Sequence, residues 1–219
     1  MVKRVLVTGG TGFVGRHVVR HLLLAGYKVW MIGRDRGRAD SVVANVPAVF
    51  QKNLQCDLLD IGTHDAHARL LSIHKNRGAI DAIVHAAALS APWGRTRDFE
   101  LANVLATQQV VSFSMTQRVP RFIHISTPSL YFELADRLNI REDVTLSTPF
   151  NHYARTKALA EVNVRARLPD ALVLRPRAVF GAWDQTLLPR LLRVAKRGGL
   201  PYINDGMALI DMTYVENLA

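Results

Sequence analysis

The stretch Thr8-Gly9-Gly10-Thr11-Gly12-Phe13-Val14-Gly15 decides the fold of this chain. It follows a short β-rich run and precedes apolar residues at helical spacing. In that context Gly9, Gly12 and Gly15 let the backbone approach a pyrophosphate, which the free N–H groups at the helix N-terminus can bind. The alternative is a tight strand–helix turn without a ligand. The stretch predicts a βαβ unit that binds a dinucleotide.

Further along the chain, strands and helices continue to alternate, which predicts an α/β fold with a parallel sheet covered on both faces. The strands are expected at 3–8, 28–32, within 48–56, 81–86, 121–126 and 171–174. The helices are expected at 13–25, 65–74, 98–117, 149–167 and 185–196. Residues 211–219 look like a strand leading into a helix that has barely begun, so we expect a truncated chain.

Composition indicates a globular protein, because 49% of the 219 residues are hydrophobic and 21% are charged. Cys56 is the single cysteine, so we expect no disulfide and a cytoplasmic location. No apolar run approaches ~20 residues, so no membrane span is expected. The net charge of +10 is dispersed apart from residues 34–38, which argues against a nucleic-acid partner.

A second motif, Tyr153-Ala154-Arg155-Thr156-Lys157, carries the chemistry. A tyrosine and a lysine four residues apart lie on one face of a helix. The ammonium group favours the ionised phenol, and such a tyrosine can exchange a proton with an alcohol or a ketone. Together with the glycine stretch, this motif predicts a nicotinamide-dependent enzyme that acts on a carbonyl or carbinol carbon.

The residues after the second strand bear on the choice of nicotinamide cofactor. NAD sites usually place an acidic residue there to bind the ribose 2′-hydroxyl group. Here Gly33 is followed by Arg34, whose guanidinium suits a 2′-phosphate, so we expect NADP. The nearby Asp35 keeps NAD possible, and an arginine that simply lies in solvent is the alternative.

Two further segments fit a bound dinucleotide. Asp57-Leu58 follows the third strand, where a carboxylate could accept a hydrogen bond from the adenine amino group or serve only in a turn. Ala86-Ala87-Ala88 ends the fourth strand in small residues. Small residues there let the backbone approach a flat ligand, although helix–sheet packing also favours them.

These motifs resemble the extended short-chain dehydrogenase/reductase family over nearly all 219 residues. The resemblance implies a Rossmann-type doubly wound sheet of strand order 3-2-1-4-5-6, with residues 1–180 binding NAD(P). It also implies a small C-terminal substrate domain, of which residues 181–219 are the start and most is missing. Family members often form homodimers through two long helices, here 98–117 and 149–167.

The resemblance also implies roles for individual residues. Tyr153 is the general acid/base, and Lys157 tunes it and bonds the nicotinamide ribose. Thr127 bonds the substrate oxygen, with Ser126 as its possible substitute, and Asn103 supports a proton-relay water near the lysine. Contacts with the nicotinamide are implied for Pro176 and Val179.

Local departures point to a branch of that family. Pro128-Ser129 replaces the acidic pair of the sugar-nucleotide dehydratases, which disfavours dehydration. Other short segments of the sequence resemble the 3β-hydroxysteroid dehydrogenase branch. Within that branch, they are similar to bacterial reductases of 2-alkyl-3-oxoalkanoic acids. Three aromatic residues suit an apolar small-molecule substrate, namely Trp93, Phe132 and Trp183.

The expected activity is NADP(H)-dependent interconversion of a β-hydroxy and a β-keto group on such a substrate. A nucleotide-sugar epimerase with tightly bound NAD(P) is the alternative, and a non-catalytic cofactor sensor or nucleic-acid-binding protein is a third. No zinc-like ligand set is evident. His17 and His21 are expected to pack on the first helix, and His124 is expected to be a core histidine.

Overall fold

The computed structural model describes residues 3–135, 137–199, 204–207 and 209–219. Six parallel strands form one sheet in the order β3-β2-β1-β4-β5-β6, which confirms the predicted order. These strands are β1 (Arg4–Thr8), β2 (Lys28–Gly33), β3 (Leu54–Leu58), β4 (Ala82–His85), β5 (Phe122–Ile125) and β6 (Leu172–Leu174).

Helices connect the strands and cover both faces of the sheet. They are α1 (Phe13–Leu24), α2 (Arg36–Ala44), α3 (Ala48–Gln51), α4 (Ala66–His74), α5 (Thr96–Phe99), α6 (Ala106–Thr116), α7 (His152–Arg167), α8 (Leu188–Ala195) and α9 (Val215–Leu218). A π-helix, Glu100–Leu105, joins α5 to α6, and Pro128–Tyr131 forms a 3₁₀ turn after β5. Among the described residues, no helix has both the length and the apolar character needed to cross a membrane.

Two apolar clusters lie on opposite faces of the sheet. Because side chains alternate along a strand, Leu6 joins the cluster that contains Trp30 and Phe113, whereas Val7 joins the one that contains Met31 and Val19. The predicted doubly covered parallel sheet is therefore confirmed.

A second, two-stranded parallel sheet pairs β7 (Val179–Phe180) with β8 (Thr213–Tyr214). The chain runs from β8 directly into α9, which confirms the strand and helix expected near residue 219. The expected domain division after residue 180 stays a prediction.

Local differences from the sequence-based elements have physical reasons. Helix α2 was not predicted, because only Ala39 and Val42 of its nine residues are buried and no apolar stripe results. Residues 48–56 contain a helical turn before the strand, which begins only at Leu54. The predicted helix 98–117 is interrupted by the π-helix, and α7 begins at His152 because Asn151 accepts a hydrogen bond from the Ala154 N–H at 2.7 Å.

Candidate active site and cofactor cleft

The glycine stretch forms a tight turn between β1 and α1. Gly9 has a φ of +69°, and a Cβ atom there would lie 2.6 Å from the backbone N and Cα of Ala87. The Gly12 N–H donates to the Gly9 carbonyl at 2.9 Å, and a Cβ on Gly15 would lie 2.2 Å from that same oxygen. Glycine is therefore required at Gly9 and Gly15, because side chains would push the turn away from β4 and α1.

A cleft of about 570 Å³ opens at the carboxyl ends of β1, β2, β3 and β4. This edge of an open parallel sheet is where dinucleotides bind. The cleft is lined by Gly9, Thr11, Gly12, Arg34, Ala86, Ala87 and Ala88, all of them predicted, together with Ile32, Gly33, Asp35, Arg38, Leu59, Asp60, Ile61, Gly62, Ala102 and Ala106. The bare backbone of the turn, beside the start of α1, fits a pyrophosphate. Phe13 and Val14 form the first turn of α1.

The end of the cleft beyond β2 carries basic side chains. Arg34 is exposed and lies 3.7 Å from the carboxylate of Asp60, so its charge is only weakly paired. Arg38 lines the same end, and its backbone N–H donates to Asp35 at 2.8 Å. Sequence reasoning missed Arg38 as a site residue, although the Asp35 cap places it in the first turn of α2, where it lines the same cleft as Arg34.

The end of β3 differs from the expected adenine site. The carboxylate of Asp57 accepts hydrogen bonds from the Trp30 indole at 2.8 Å and from Arg77 at 2.7 Å. The cleft is lined not by Asp57 or Leu58 but by the following residues, Leu59 to Gly62. The adenine contact of Asp57 and Leu58 thus stays a prediction, and Asp60 is a further polar group at this edge.

Helix α7 presents Tyr153 and Lys157 one turn apart. Tyr153 is partly buried, whereas Lys157 is only 2% exposed. The Lys157 ammonium donates to the Ile125 carbonyl at 2.7 Å, which fixes it at the end of β5. Burial lowers the pKa of Lys157 to about 8, and the nearby Glu161 carboxylate opposes that shift.

Beneath the lysine lies a buried pair of histidines. Lys157 Nζ lies 3.3 Å from His124 Nε2, so this nitrogen is the acceptor and His124 is neutral. Burial, followed by the charge of Lys157, lowers the pKa of His124 well below its usual value. The His85 ring stacks on it at 5.3 Å and is held by Thr8 and Thr107 at 2.6 and 3.0 Å. His124 is buried, as the sequence predicted for a core histidine. The sequence did not reveal its contact with Lys157.

Asn103 lies in the π-helix and is 1% exposed. Its side chain accepts from the Leu89 N–H at 2.7 Å and donates to the Leu89 carbonyl at 3.2 Å and to Thr156 at 3.0 Å. It thus ties the segment after β4 to α7. The implied proton-relay role near Lys157 stays a prediction.

The segment after β5 supplies two buried hydroxyl groups. Thr127 accepts from the Ser129 N–H at 3.2 Å and lies 3.1 Å from the Ser129 hydroxyl group. The Ser126 hydroxyl group is buried and has no hydrogen-bond partner among the described residues. Both hydroxyl groups therefore remain candidates for binding a substrate oxygen.

A buried ion pair lies on the face of α7 that carries Tyr153 and Lys157. Glu161 is 3% exposed and accepts from Arg175 at 2.8 Å, while Arg175 also donates to the Tyr131 hydroxyl group at 2.5 Å. The bond to Glu161 raises the pKa of Arg175 above its usual value. The pair joins α7, β6 and the 3₁₀ turn, so it fixes the helix that carries Tyr153.

The residues expected to contact the nicotinamide and the substrate lie in different parts of the structure. Pro176 precedes β7 and Val179 begins it. Phe132 lines a second cleft beside Pro128 and Ser129, but Trp183 packs on His17 and Arg16 of α1. Trp183 thus lies against α1 rather than in the second cleft, and its expected contact with substrate stays a prediction.

The parallel sheet and the glycine-lined cleft at its carboxyl edge define a dinucleotide-binding α/β protein. The chain belongs to the NAD dependent epimerase/dehydratase family, which it matches over residues 5–219.

Curated relatives include reductases and dehydrogenases. The chain is 33% identical to uncharacterized protein YbjS of Escherichia coli over 98% of its length and 62% of that protein. It is 31% identical to the 2-alkyl-3-oxoalkanoate reductase of Stenotrophomonas maltophilia (99% and 63%). It is 30% identical to the bovine decarboxylating sterol-4-alpha-carboxylate 3-dehydrogenase (99% and 58%). The chain thus spans less than two thirds of the length of these relatives.

Solved structures show the same fold. The terminal R domain from the myxalamid PKS-NRPS biosynthetic pathway superposes with a TM-score of 0.86 at 25% identity, covering 99% of this chain and 60% of that one. UDP-glucuronic acid 4-epimerase from Bacillus cereus, in complex with UDP-glucuronic acid and NAD, gives a TM-score of 0.77 at 26% identity, covering 98% and 70%.

Proposed function

We propose that the protein is an NADP(H)-dependent oxidoreductase that interconverts a β-hydroxy and a β-keto group on an apolar substrate. The observation that carries this proposal is the buried Lys157 ammonium, one turn from Tyr153 and close to the hydroxyl groups after β5. A relative named 2-alkyl-3-oxoalkanoate reductase and another named sterol-4-alpha-carboxylate 3-dehydrogenase support the substrate class.

In this proposal the nicotinamide, when bound, supplies or accepts a hydride at the carbinol carbon. Tyr153 gives its proton to the carbonyl oxygen during reduction and takes it back during oxidation. Thr127, or Ser126 in its place, donates a hydrogen bond to that oxygen as negative charge develops there. Lys157 stabilises the phenolate that remains on Tyr153 and binds the ribose.

We propose NADP rather than NAD because two arginines, Arg34 and Arg38, face the cleft beyond β2. Guanidinium groups bind phosphate with paired hydrogen bonds. The acidic residues at this end of the cleft do not outnumber the two arginines. Asp35 and Asp60 lie beside them, however, and the similar B. cereus epimerase was solved with NAD. NAD is therefore the competing cofactor.

A nucleotide-sugar epimerase is the second candidate, favoured by the similarity to the B. cereus enzyme. An epimerase oxidises and re-reduces one carbon, so it consumes no cofactor overall. The apolar character of Phe132 and Phe150 in the second cleft favours the first candidate.

Thermal unfolding with NADPH, NADH or neither, followed by a turnover assay, tests this proposal. A cofactor present at ~100 times its Kd should add roughly 2.7 kcal/mol of stability. We expect the larger shift with NADPH, and net NADPH oxidation in the presence of a 2-alkyl-3-oxoalkanoate. A larger shift with NADH would contradict the roles of Arg34 and Arg38. Epimerisation of a UDP-sugar without NADPH loss would favour the second candidate.

We also propose a homodimer formed through α6 and α7, as the resemblance implies. Its support is the apolar surface of these helices, where Met115, Leu159 and Val162 are 45%, 44% and 65% exposed. Such a surface fits an interface between subunits. We propose a cytoplasmic location as well, because Cys56, the single cysteine, is a free thiol and a reducing compartment suits it.

A further inference from the structure

The second cleft, of about 750 Å³, is formed by the segments that follow β5 and β6. This volume falls within the usual range for small-molecule sites. Its apolar lining includes Phe132 and Phe150, whose rings lie 4.3 Å apart, together with Leu138 and Ile140. Pro128 and Ser129 line it as well, so the cleft adjoins the hydroxyl groups that the proposed function assigns to the substrate oxygen.

Two arginines interrupt this apolar lining, and they differ in the counter-charges that the described residues offer them. Arg137 is paired with Glu133 at 2.8 Å, and both residues line the cleft. Arg177 is partly buried and makes no salt bridge or hydrogen bond to any described residue. Asp211 and Glu142 line the adjoining cavity that Arg177 also borders, but no carboxylate among the described residues lies within the 4.0 Å of a salt bridge to it. Within the described part of the chain, the Arg177 guanidinium therefore has no carboxylate partner in this cleft.

The backbone beside Arg177 has an unusual conformation. The next residue, Ala178, has a φ of +35°, which is unusual for a residue other than glycine, and it lines the same cleft. Its carbonyl accepts a hydrogen bond from the Thr213 N–H at 3.4 Å, beside the β7–β8 pairing. Unusual backbone held by surrounding structure is typical of ligand sites. On the other side, Pro176 is expected to contact the nicotinamide.

We propose that Arg177 binds the carboxylate of the substrate and thereby selects β-oxo acids over uncharged ketones. This inference rests on the proposed function. In a β-oxo acid the carboxylate is separated from the carbonyl carbon by one carbon atom. A carboxylate held beside Pro176 thus places the carbonyl near the nicotinamide, while the alkyl part lies on Phe132 and Phe150. Guanidinium binds carboxylate with two parallel hydrogen bonds, which also fixes its orientation.

The test compares a 2-alkyl-3-oxoalkanoate with its methyl ester, which has the same carbon skeleton but no charge, in the intact protein. Wild type should reduce the acid with a kcat/KM roughly 100-fold above that for the ester, since the ester leaves the guanidinium without its charged partner. Arg177→Gln should lose that advantage for the acid and leave the ester unchanged. Arg177→Lys should retain part of it.

Arg141→Gln is the matched control, because Arg141 is exposed, pairs with Asp143 at 3.4 Å and does not line the cleft. It should change neither substrate. Equal loss on acid and ester in Arg177→Gln, with unchanged NADPH affinity, would overturn the assignment. So would a wild-type protein that reduces both substrates equally, a result that requires no variant. Failure of wild type to oxidise NADPH with either substrate would instead overturn the proposed function itself.

Discussion

At the scale of single residues, Lys157 shows how function can oppose stability. Its ammonium is buried and is held by the Ile125 carbonyl and by the neutral His124. The pKa falls to about 8 from the ordinary 10.5 because the charged form is desolvated. The buried charge therefore destabilises the native state. We interpret this cost as serving function, because the charge can act on Tyr153 and the cofactor.

We expect Lys157→Met to abolish turnover and yet to raise the free energy of unfolding at pH 7 by about 1 to 3 kcal/mol. The native pKa lies below the unfolded one, so the destabilisation is complete below pH 8 and disappears as the pH rises through 10.5. Denaturant unfolding at pH 7 and pH 10 should show the gain shrinking. Lys52→Met, at an exposed position, is the control and should change little. A variant less stable than wild type at pH 7 would contradict this account.

At the scale of elements, the β1–α1 turn was predictable and the α2 segment was not. Three glycines at fixed spacing between a strand and a helix constrain the backbone locally, so sequence alone indicates the turn. Helix α2 has a cap at Asp35 but almost no buried face, and it is held by its place between β2 and β3. The hydrogen bond between Asp57 and Arg77 was also not predictable from the sequence, because the two residues lie twenty positions apart and only the fold brings them together.

We expect Gly15→Ala to lower the free energy of unfolding by several kcal/mol and to remove NADPH binding. The new Cβ atom would overlap the Gly9 carbonyl, and backbone on both sides leaves no room to adjust. Gly37→Ala is the matched control, since its Cβ would lie 3.5 Å from the nearest atom, within α2. Alanine there should stabilise by about 0.5 to 1 kcal/mol. Equal effects of the two substitutions on NADPH affinity would contradict the role given to the turn.

At the scale of the whole molecule, α9 packs on α1, although the two helices lie far apart in the sequence. Glu216 bonds His17 at 2.7 Å and also bonds His21, while the other His17 nitrogen lies 2.9 Å from the Ala182 carbonyl. These bonds join α9, α1 and the segment after β7. Sequence reasoning expected simple packing at His17 and His21, because nothing local links them to a residue almost two hundred positions away.

We expect Glu216→Gln to lower the Tm at neutral pH. The hydrogen bond from His21, followed by that from His17, lowers the pKa of the Glu216 carboxyl below its usual 4.5. Its stabilising contribution is thus present above pH 4.5 and is lost as the pH falls through the lower native pKa. Thermal unfolding across this range should show the gap between variant and wild type closing in acid. Glu142→Gln, at an exposed position, is the control, and a gap independent of pH would contradict the ionic role.

The central claim is that Tyr153 transfers the proton in an NADP(H)-dependent reduction, and Tyr153→Phe tests it most directly. NADPH affinity, measured by fluorescence titration, should stay within about twofold of wild type, because the phenyl ring keeps its place on α7. Reduction of a 2-alkyl-3-oxoalkanoate should fall by at least about 100-fold, the usual contribution of a general acid. Tyr27→Phe, far along the chain from α7, should leave both values unchanged. Reduction retained by Tyr153→Phe at the wild-type rate would contradict the account.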